Sequence, residues 1–177
     1  MSPAWVVESG SQLNIEGSSN INRFTCHIRQ YLQADTLRWV RDDRLKKLIF
    51  RNSAVNIDIN QFDCHQKYIT SDLRKTLRAD KYPQLRIHFL SMDDLTWVQE
   101  GQKVRGQVNI ELAGQIKRYD MEYTVIHGQG NRFRLCGSKQ ILFSDFNLVP
   151  PGKLAGLVRI NQEIKVNFEL HFRPYGS

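Results

Sequence analysis

The 177-residue chain has no apolar run approaching the ~20 residues that a membrane-spanning helix needs. Its N-terminus, Met1-Ser2-Pro3-Ala4-Trp5, shows neither a charged n-region nor an apolar h-region, so no signal peptide is visible. There is no internal repeat, no low-complexity tract and no linker; Pro150-Pro151-Gly152 is too short to divide domains and reads as a loop. One domain spanning 1–177 is the expectation. Cysteine is scarce, with three residues, Cys26, Cys64 and Cys136, and no Cys-x2-Cys spacing beside paired histidines, so no metal site is expected. The histidines (His27, His65, His88, His127, His171) are scattered, and His88 and His171 fall on the polar phase of their strands, where solvated side chains are the default. Gly128-Gln129-Gly130-Asn131 is a hairpin turn rather than a phosphate cradle, and Gly152 and Gly156 have GxxxG spacing outside any apolar helix.

What is present is an ordinary globular composition, 41% hydrophobic and 24% charged, with a net charge of +7. Arg38, Arg41, Arg44, Lys46, Lys47 and Arg51 cluster around Asp42-Asp43. A nucleic-acid or anionic-membrane surface is one reading; a hairpin with outward-facing charges is the other. No nucleic-acid fold signature accompanies the charge, which favours the hairpin and argues against a nucleic-acid partner.

The dominant pattern is period two. Val104, Gly106, Val108, Ile110 and Leu112 alternate with polar residues, as do Tyr119, Met121, Tyr123 and Val125, and then Ile164, Val166, Phe168, Leu170 and Phe172. Shorter runs are Leu13-Ile15, Val55-Ile57-Ile59, Leu85-Ile87-Phe89 and Phe133-Leu135. Each run offers one apolar and one wet face, which predicts an all-β antiparallel meander, a sandwich or a closed barrel. One segment differs: over about 66–79, Ile69, Leu73 and Leu77 recur every four positions, predicting a single amphipathic helix that ends before Pro83. A lone helix amid strands suits a lid on one end of a barrel. Gly106 and Gly137 at inward positions leave room either for a close-packed neighbour or for a ligand, and periodicity alone does not separate a filled barrel from a hollow one.

Asp63-Cys64-His65 invites a catalytic reading. Adjacent residues in extended chain point to opposite faces, however, so a Cys64–His65 nucleophile pair is disfavoured and no catalytic residue is assigned. Asp58, Asp63 and Asp72 do not align with an apolar pocket as paired carboxylates. Cys26 sits near the start of a strand and Cys64 between a strand and the helix; a Cys26–Cys64 disulfide would tether helix to barrel, and free thiols are the alternative. Cys136 falls opposite Phe133 and Leu135 as a lone structural cysteine.

Four blocks resemble the YceI-like family of lipocalin-like barrels that bind polyisoprenoids: Gly17-Ser18-Ser19-Asn20-Ile21-Asn22-Arg23-Phe24; Val55-Asn56-Ile57-Asp58-Ile59 running through the helix to Lys81-Tyr82-Pro83-Gln84-Leu85-Arg86-Ile87-His88-Phe89; Val104-Arg105-Gly106-Gln107-Val108-Asn109-Ile110; and Phe143-Ser144-Asp145-Phe146 followed by Pro150-Pro151-Gly152-Lys153-Leu154-Ala155-Gly156-Leu157. The usual basic run and His-Leu pair before the family helix are replaced by Cys64-His65-Gln66-Lys67, and the common Phe-Phe after it is missing, as in a cysteine-bearing branch. The resemblance implies an eight-stranded antiparallel β-barrel with one α-helix and a bound apolar chain such as an isoprenoid, an isoprenoid quinone or a fatty acyl chain. It implies carriage rather than catalysis, no cofactor other than such a lipid, and a periplasmic or secreted location with the leader removed. The expected ligand-facing residues are Val104, Val108, Ile110, Tyr119, Met121, Tyr123, Phe133, Leu135, Val166, Phe168 and Leu170. The expected partners are a hydrophobic small molecule and, through the basic rim, a transient membrane-surface contact, for a monomer or homodimer. The alternative is a structural or partner-binding β-barrel with a filled core and a basic docking face.

Overall fold

A computed structural model describes residues 3–31, 33–150, 152–153 and 158–176. The strands are β1 (Ala4–Val7), β2 (Gln12–Ser18), β3 (Arg23–Ile28), β4 (Thr36–Asp42), β5 (Lys47–Arg51), β6 (Ala54–Asp58), β7 (Phe62–Asp63), β8 (Gln84–Asp93), β9 (Lys103–Leu112), β10 (Gln115–His127), β11 (Phe133–Leu142), β12 (Gly152–Lys153), β13 (Val158–Arg159) and β14 (Glu163–Pro174), with one helix, α1 (Lys67–Thr76). Eight antiparallel strands close a ring in the order β1-β4-β5-β8-β9-β10-β11-β14, with β14 returning to β1. This is the barrel that the period-two runs and the family resemblance predict.

Two walls are made of broken strands. Along β14, β1 pairs at Val7↔Phe172 and β2 resumes at Leu13↔Phe168. Along β8, β5 pairs at Leu48↔Met92 and β6 resumes at Val55↔Ile87. A bulge between Phe89 and Ser91 shifts the phase of β8, so Phe89 and Met92, three residues apart, are both buried. The alternation elsewhere is kept: Val104, Val108, Ile110 and Leu112 on β9 and Tyr119, Met121, Tyr123 and Val125 on β10 are buried.

The Arg38–Arg51 basic cluster is a hairpin, as one of its two readings expects. The Asp42 carboxylate accepts from the backbone N–H groups of Arg44 and Leu45 (both 3.0 Å), forming the turn between β4 and β5. Ala113 (φ 50°) and Gly114 (φ 77°) make the two-residue turn between β9 and β10, with both central residues left-handed as the strand twist requires. Gly128 to Arg132 close the β10–β11 turn through a Gly128 N–H to Arg132 O bond of 2.8 Å.

The helix is shorter than the 66–79 expected. It stops at Thr76 because Arg78 turns left-handed (φ 54°) and the Ala79 N–H bonds back to Arg74 O at 2.9 Å, a C-terminal cap that acts before Pro83 is reached. Ile69, Leu73 and Leu77 do form its inward face, and Arg74 and Lys75 in the last turn complement the helix dipole.

The two ends of the barrel differ. At one end, beside the β4–β5 turn, the 94–102 loop and the β10–β11 turn, Trp5 stands 4.9 Å from Phe133, 5.6 Å from Trp39 and Phe172, and 5.7 Å from Phe50, centroid to centroid. Aromatic rings fill that half. At the other end α1 and a 3-10 turn, Phe143–Phe146, close the barrel. There β10 and β11 separate: they pair only between Thr124–His127 and Phe133–Cys136. Side chains bridge the split. Lys139 Nζ donates to Asp120 O (2.7 Å), and the Tyr119 hydroxyl donates to Asp145 Oδ2 (2.7 Å).

Candidate functional site: an apolar chamber under the helix

Between the aromatic plug and α1 lies a small cavity of about 40 Å³. Its wall is wholly apolar: Ile15 and Phe62 from β2 and β7, Leu73 and Leu77 from α1, Leu85 and Ile87 from β8, Ile110 and Leu112 from β9, Ile141 and Leu142 from β11, Ile164 and Val166 from β14, and Phe143, Phe146 and Leu148 from the closing turn. Of the strands, β2, β7, β8, β9, β11 and β14 contribute, and α1 with its C-cap contributes the leucines spaced by four.

Of the residues expected to face a ligand, Ile110 and Val166 line this cavity. Val104, Val108, Tyr119, Met121, Tyr123, Leu135, Phe168 and Leu170 are also buried in the interior, and Phe133 is partly buried against it. They serve as packing around the cavity rather than as its wall. The strand pattern marked the inward faces; it missed the floor, because Leu77, Phe143, Phe146 and Leu148 come from the helix and turn and only tertiary closure aims them inward. The spacing of Leu73 and Leu77 was the one available signal.

The inward glycines are occupied by neighbours. A Cβ on Gly106 would lie 2.5 Å from Ser91 O and 3.2 Å from Tyr123 Cε2; one on Gly137 would lie 2.7 Å from Phe168 Cζ. Of the two explanations open from sequence, close packing is the one realised. The Tyr123 hydroxyl is buried without a hydrogen-bond partner, and burial pushes its pKa up.

A second depression opens on the outer side of α1. This groove of about 530 Å³ runs between the helix (Gln66, Tyr68, Ile69, Asp72, Leu73, Thr76) and the β2–β3 turn (Ser19, Ile21, Asn22, Arg23, Phe24), with Phe143 and Ile160 at its base. Both walls are fastened. The β2–β3 turn is stitched to the 159–161 segment by Asn20 N–H to Arg159 O (3.1 Å) and Asn161 N–H to Ser18 O (2.8 Å). On the helix side, Cys26 and Cys64 form a disulfide, and the Cys64 N–H donates to Thr70 Oγ1 (3.0 Å).

The disulfide settles the Asp63-Cys64-His65 triplet. Cys64 is buried and His65 exposed, but the chain at His65 is left-handed (φ 67°) rather than extended, so a turn and not strand alternation parts the thiol from the imidazole. The Asp63 carboxylate accepts from the His65 N–H (2.8 Å), and that bond holds its pKa below the usual carboxylate range. The His65 ring lies 4.7 Å from that of His27, which follows Cys26. Among the described residues no three His, Cys, Asp or Glu side chains converge as a metal site. Cys136 is a free thiol facing Glu169 (Sγ to Oε1 3.8 Å), and burial, then that carboxylate, raise its pKa. His88 and His171 are more engaged than solvated strand residues: each ring Nε2 lies 3.0 Å from a carboxylate, Glu111 and Glu169 respectively. His88 meets Glu111 across the β8–β9 pair, whereas His171 and Glu169 stand two residues apart on the same face of β14.

Fold and chamber define a lipocalin-like barrel: eight antiparallel strands, one helical cap and an apolar interior. More particularly, the chain has the YceI-like fold. It superposes on a polyisoprenoid-binding domain from Saccharophagus degradans implicated in plant cell wall breakdown, with a TM-score of 0.67 and 15% identity over 96% of this chain and 97% of that one. Burkholderia cenocepacia BcnA gives 0.63 at 16% identity, covering 91% and 95%. A Campylobacter jejuni YCEI protein gives 0.56 at 16%, covering 86% and 85%. No protein-family model matches the chain, and no curated protein does. The segment Leu154-Ala155-Gly156-Leu157 of the fourth resembling block, which holds one glycine of the Gly152/Gly156 pair, and Pro151 lie outside the described residues.

Proposed function

We propose that this protein binds a long apolar chain, without catalysis, in the helix-capped half of its barrel. The observation that carries the reading is the wholly apolar chamber beneath α1, in a fold that it shares with a domain named for polyisoprenoid binding. Burial of hydrocarbon yields about 0.8 kcal/mol per CH₂, so affinity comes from chain length and an apolar wall rather than from polar anchors. At about 40 Å³ the chamber is far below the roughly 300–1,000 Å³ of a ligand pocket, so this reading requires binding to displace wall side chains or α1. An isoprenoid, an isoprenoid quinone or a fatty acyl chain fits this chemistry, with carriage between membranes as the role. The Cys26–Cys64 disulfide suits an oxidising compartment, which favours a periplasmic or secreted setting. The net positive charge would favour transient contact with anionic membrane surfaces.

The aromatic plug favours a second reading, a filled barrel that binds a macromolecular partner through its basic β4–β5 face. Native mass spectrometry and organic extraction of gently purified protein separate the two. A co-purifying or reloadable apolar molecule is expected; a barrel that stays empty after challenge with polyprenyl and fatty acyl lipids refutes the carrier.

A further inference from the structure

The chamber and the groove share two residues. Leu73, from α1, and Phe143, from the turn that closes the barrel, line both, and both are buried. They are therefore the partition between an enclosed apolar space of about 40 Å³ and an open one of about 530 Å³. The groove also accounts for two exposed apolar side chains that packing leaves unexplained. Ile21, at the tip of the β2–β3 turn, is 62% exposed, and Tyr68, in the first turn of α1, is 59% exposed; they stand on opposite walls of the same depression. Its lining also carries hydrogen-bonding residues: Ser19, Asn22 and Arg23 on the turn side and Gln66, Asp72 and Thr76 on the helix side.

We propose that the groove between α1 and the β2–β3 turn is the outer half of the ligand site, holding the head-proximal part of a single-chain amphiphile whose tail passes between Leu73 and Phe143 into the chamber. This rests on the apolar-chain reading above and deepens it: it fixes which end of the barrel the ligand uses, and makes Leu73 and Phe143, which line both spaces, the gate. The polar head, of hydrogen-bonding type, stays at the Asn22–Arg23–Gln66 mouth. The volume supports this division, because the groove alone falls in the range of small-molecule pockets and the chamber alone does not. At the opposite end the Trp5 cluster fills the barrel interior, and the depression of about 440 Å³ on the β4–β5 hairpin is lined mostly by charged residues and shares none of them with the chamber.

The position of the tryptophans gives a direct test. Trp5 and Trp39 sit in the aromatic plug and Trp97, 90% exposed, lies in the 94–102 loop at that same end, so the native fluorophores are all remote from the groove. Titration with 9,10-dibromostearyl alcohol, kept below its solubility limit in water, is expected to leave wild-type fluorescence unchanged and to quench the added fluorophore of Tyr68→Trp saturably. The exposed Trp97 reports any non-specific collision. Ile21→Asp, at an exposed turn, is expected to weaken binding about five- to ten-fold while leaving the thermal midpoint unchanged, as loss of most of one buried isoleucine contact should. Quenching of the native tryptophans with Tyr68→Trp silent, or full affinity in Ile21→Asp, overturns the groove while leaving the carrier reading intact. Absence of binding by native mass spectrometry overturns both.

Discussion

Cys26 and Cys64 are 38 residues apart in sequence, yet their Cα atoms stand 4.0 Å apart, across the seam where β3 meets the strand-to-helix junction. The bond fixes the N-terminal approach to α1, and so one wall of the groove, to the barrel. Closing a loop of that length constrains the unfolded chain by about 2–4 kcal/mol. The double variant Cys26→Ser/Cys64→Ser is expected to lose that much in urea unfolding, and wild type measured under reductant should match it. An unchanged midpoint in both experiments would show that the tether contributes nothing.

Gly106, on β9, leaves no room for a side chain against β8. A methyl group there meets a backbone oxygen, Ser91 O at 2.5 Å, and beyond it Met92 Cβ at 3.0 Å, so relief requires β8 to move rather than a side chain to rotate. Gly106→Ala is expected to destabilise the protein by about 1–3 kcal/mol, the usual penalty of overpacking a well-filled core. Thermal unfolding measures it; a gain in stability would mean that the wall is looser than these contacts indicate.

Much of the barrel was legible because β9, β10 and β14 each bury one phase of a clean alternation, and only a strand buries every second residue. Cross-strand geometry then follows from turns the sequence marks, such as Ala113-Gly114. Other elements left weaker signals. In β1, Ala4 to Val7 are all buried, which erases the alternation. In β8 the bulge after Phe89 changes the inward phase, and no local residue type announces it. The helix is shorter than its apolar spacing implies because a non-glycine residue, Arg78, adopts the left-handed cap that glycine ordinarily signals. The chamber floor depends on Phe143, Phe146 and Leu148, residues of a turn whose direction is set by the Tyr119–Asp145 bond, a contact made across 26 positions.

Glu169, on the outer face of β14, accepts from His171 Nε2 (3.0 Å) and from Arg134 Nη1 (3.2 Å), with the Cys136 thiol nearby. The bond from His171 is the main influence that holds its carboxyl below the ordinary glutamate range. The unfolded chain therefore takes up this proton first on acidification. The stabilisation is complete above the usual glutamate value of about 4.3 and is lost as pH falls through the lower folded-state value. Because the group is partly exposed, its worth at neutral pH is less than about 1 kcal/mol. Glu169→Gln should be slightly less stable than wild type at about pH 7 and converge with it near pH 3. A constant difference across a pH series of melting curves would disprove the linkage.

Tyr123 presents the opposite situation, a polar group with nothing to bond. Its side chain is 1% exposed, packed against the rings of Phe168 (5.7 Å) and Phe89 (6.4 Å) and against Gly106, and its hydroxyl has no partner. A buried phenol without a hydrogen bond forfeits the water it bonded when unfolded, which costs about 1–3 kcal/mol. Removing that oxygen at nearly constant shape removes the penalty. Tyr123→Phe, stripped of lipid, is therefore expected to be as stable as wild type or more stable by up to about 1 kcal/mol. Most buried tyrosines show the reverse sign when their hydroxyl is deleted. Urea unfolding decides it: a loss of about 2 kcal/mol or more would mean that the hydroxyl is satisfied in solution, by a trapped water bonded inside the barrel.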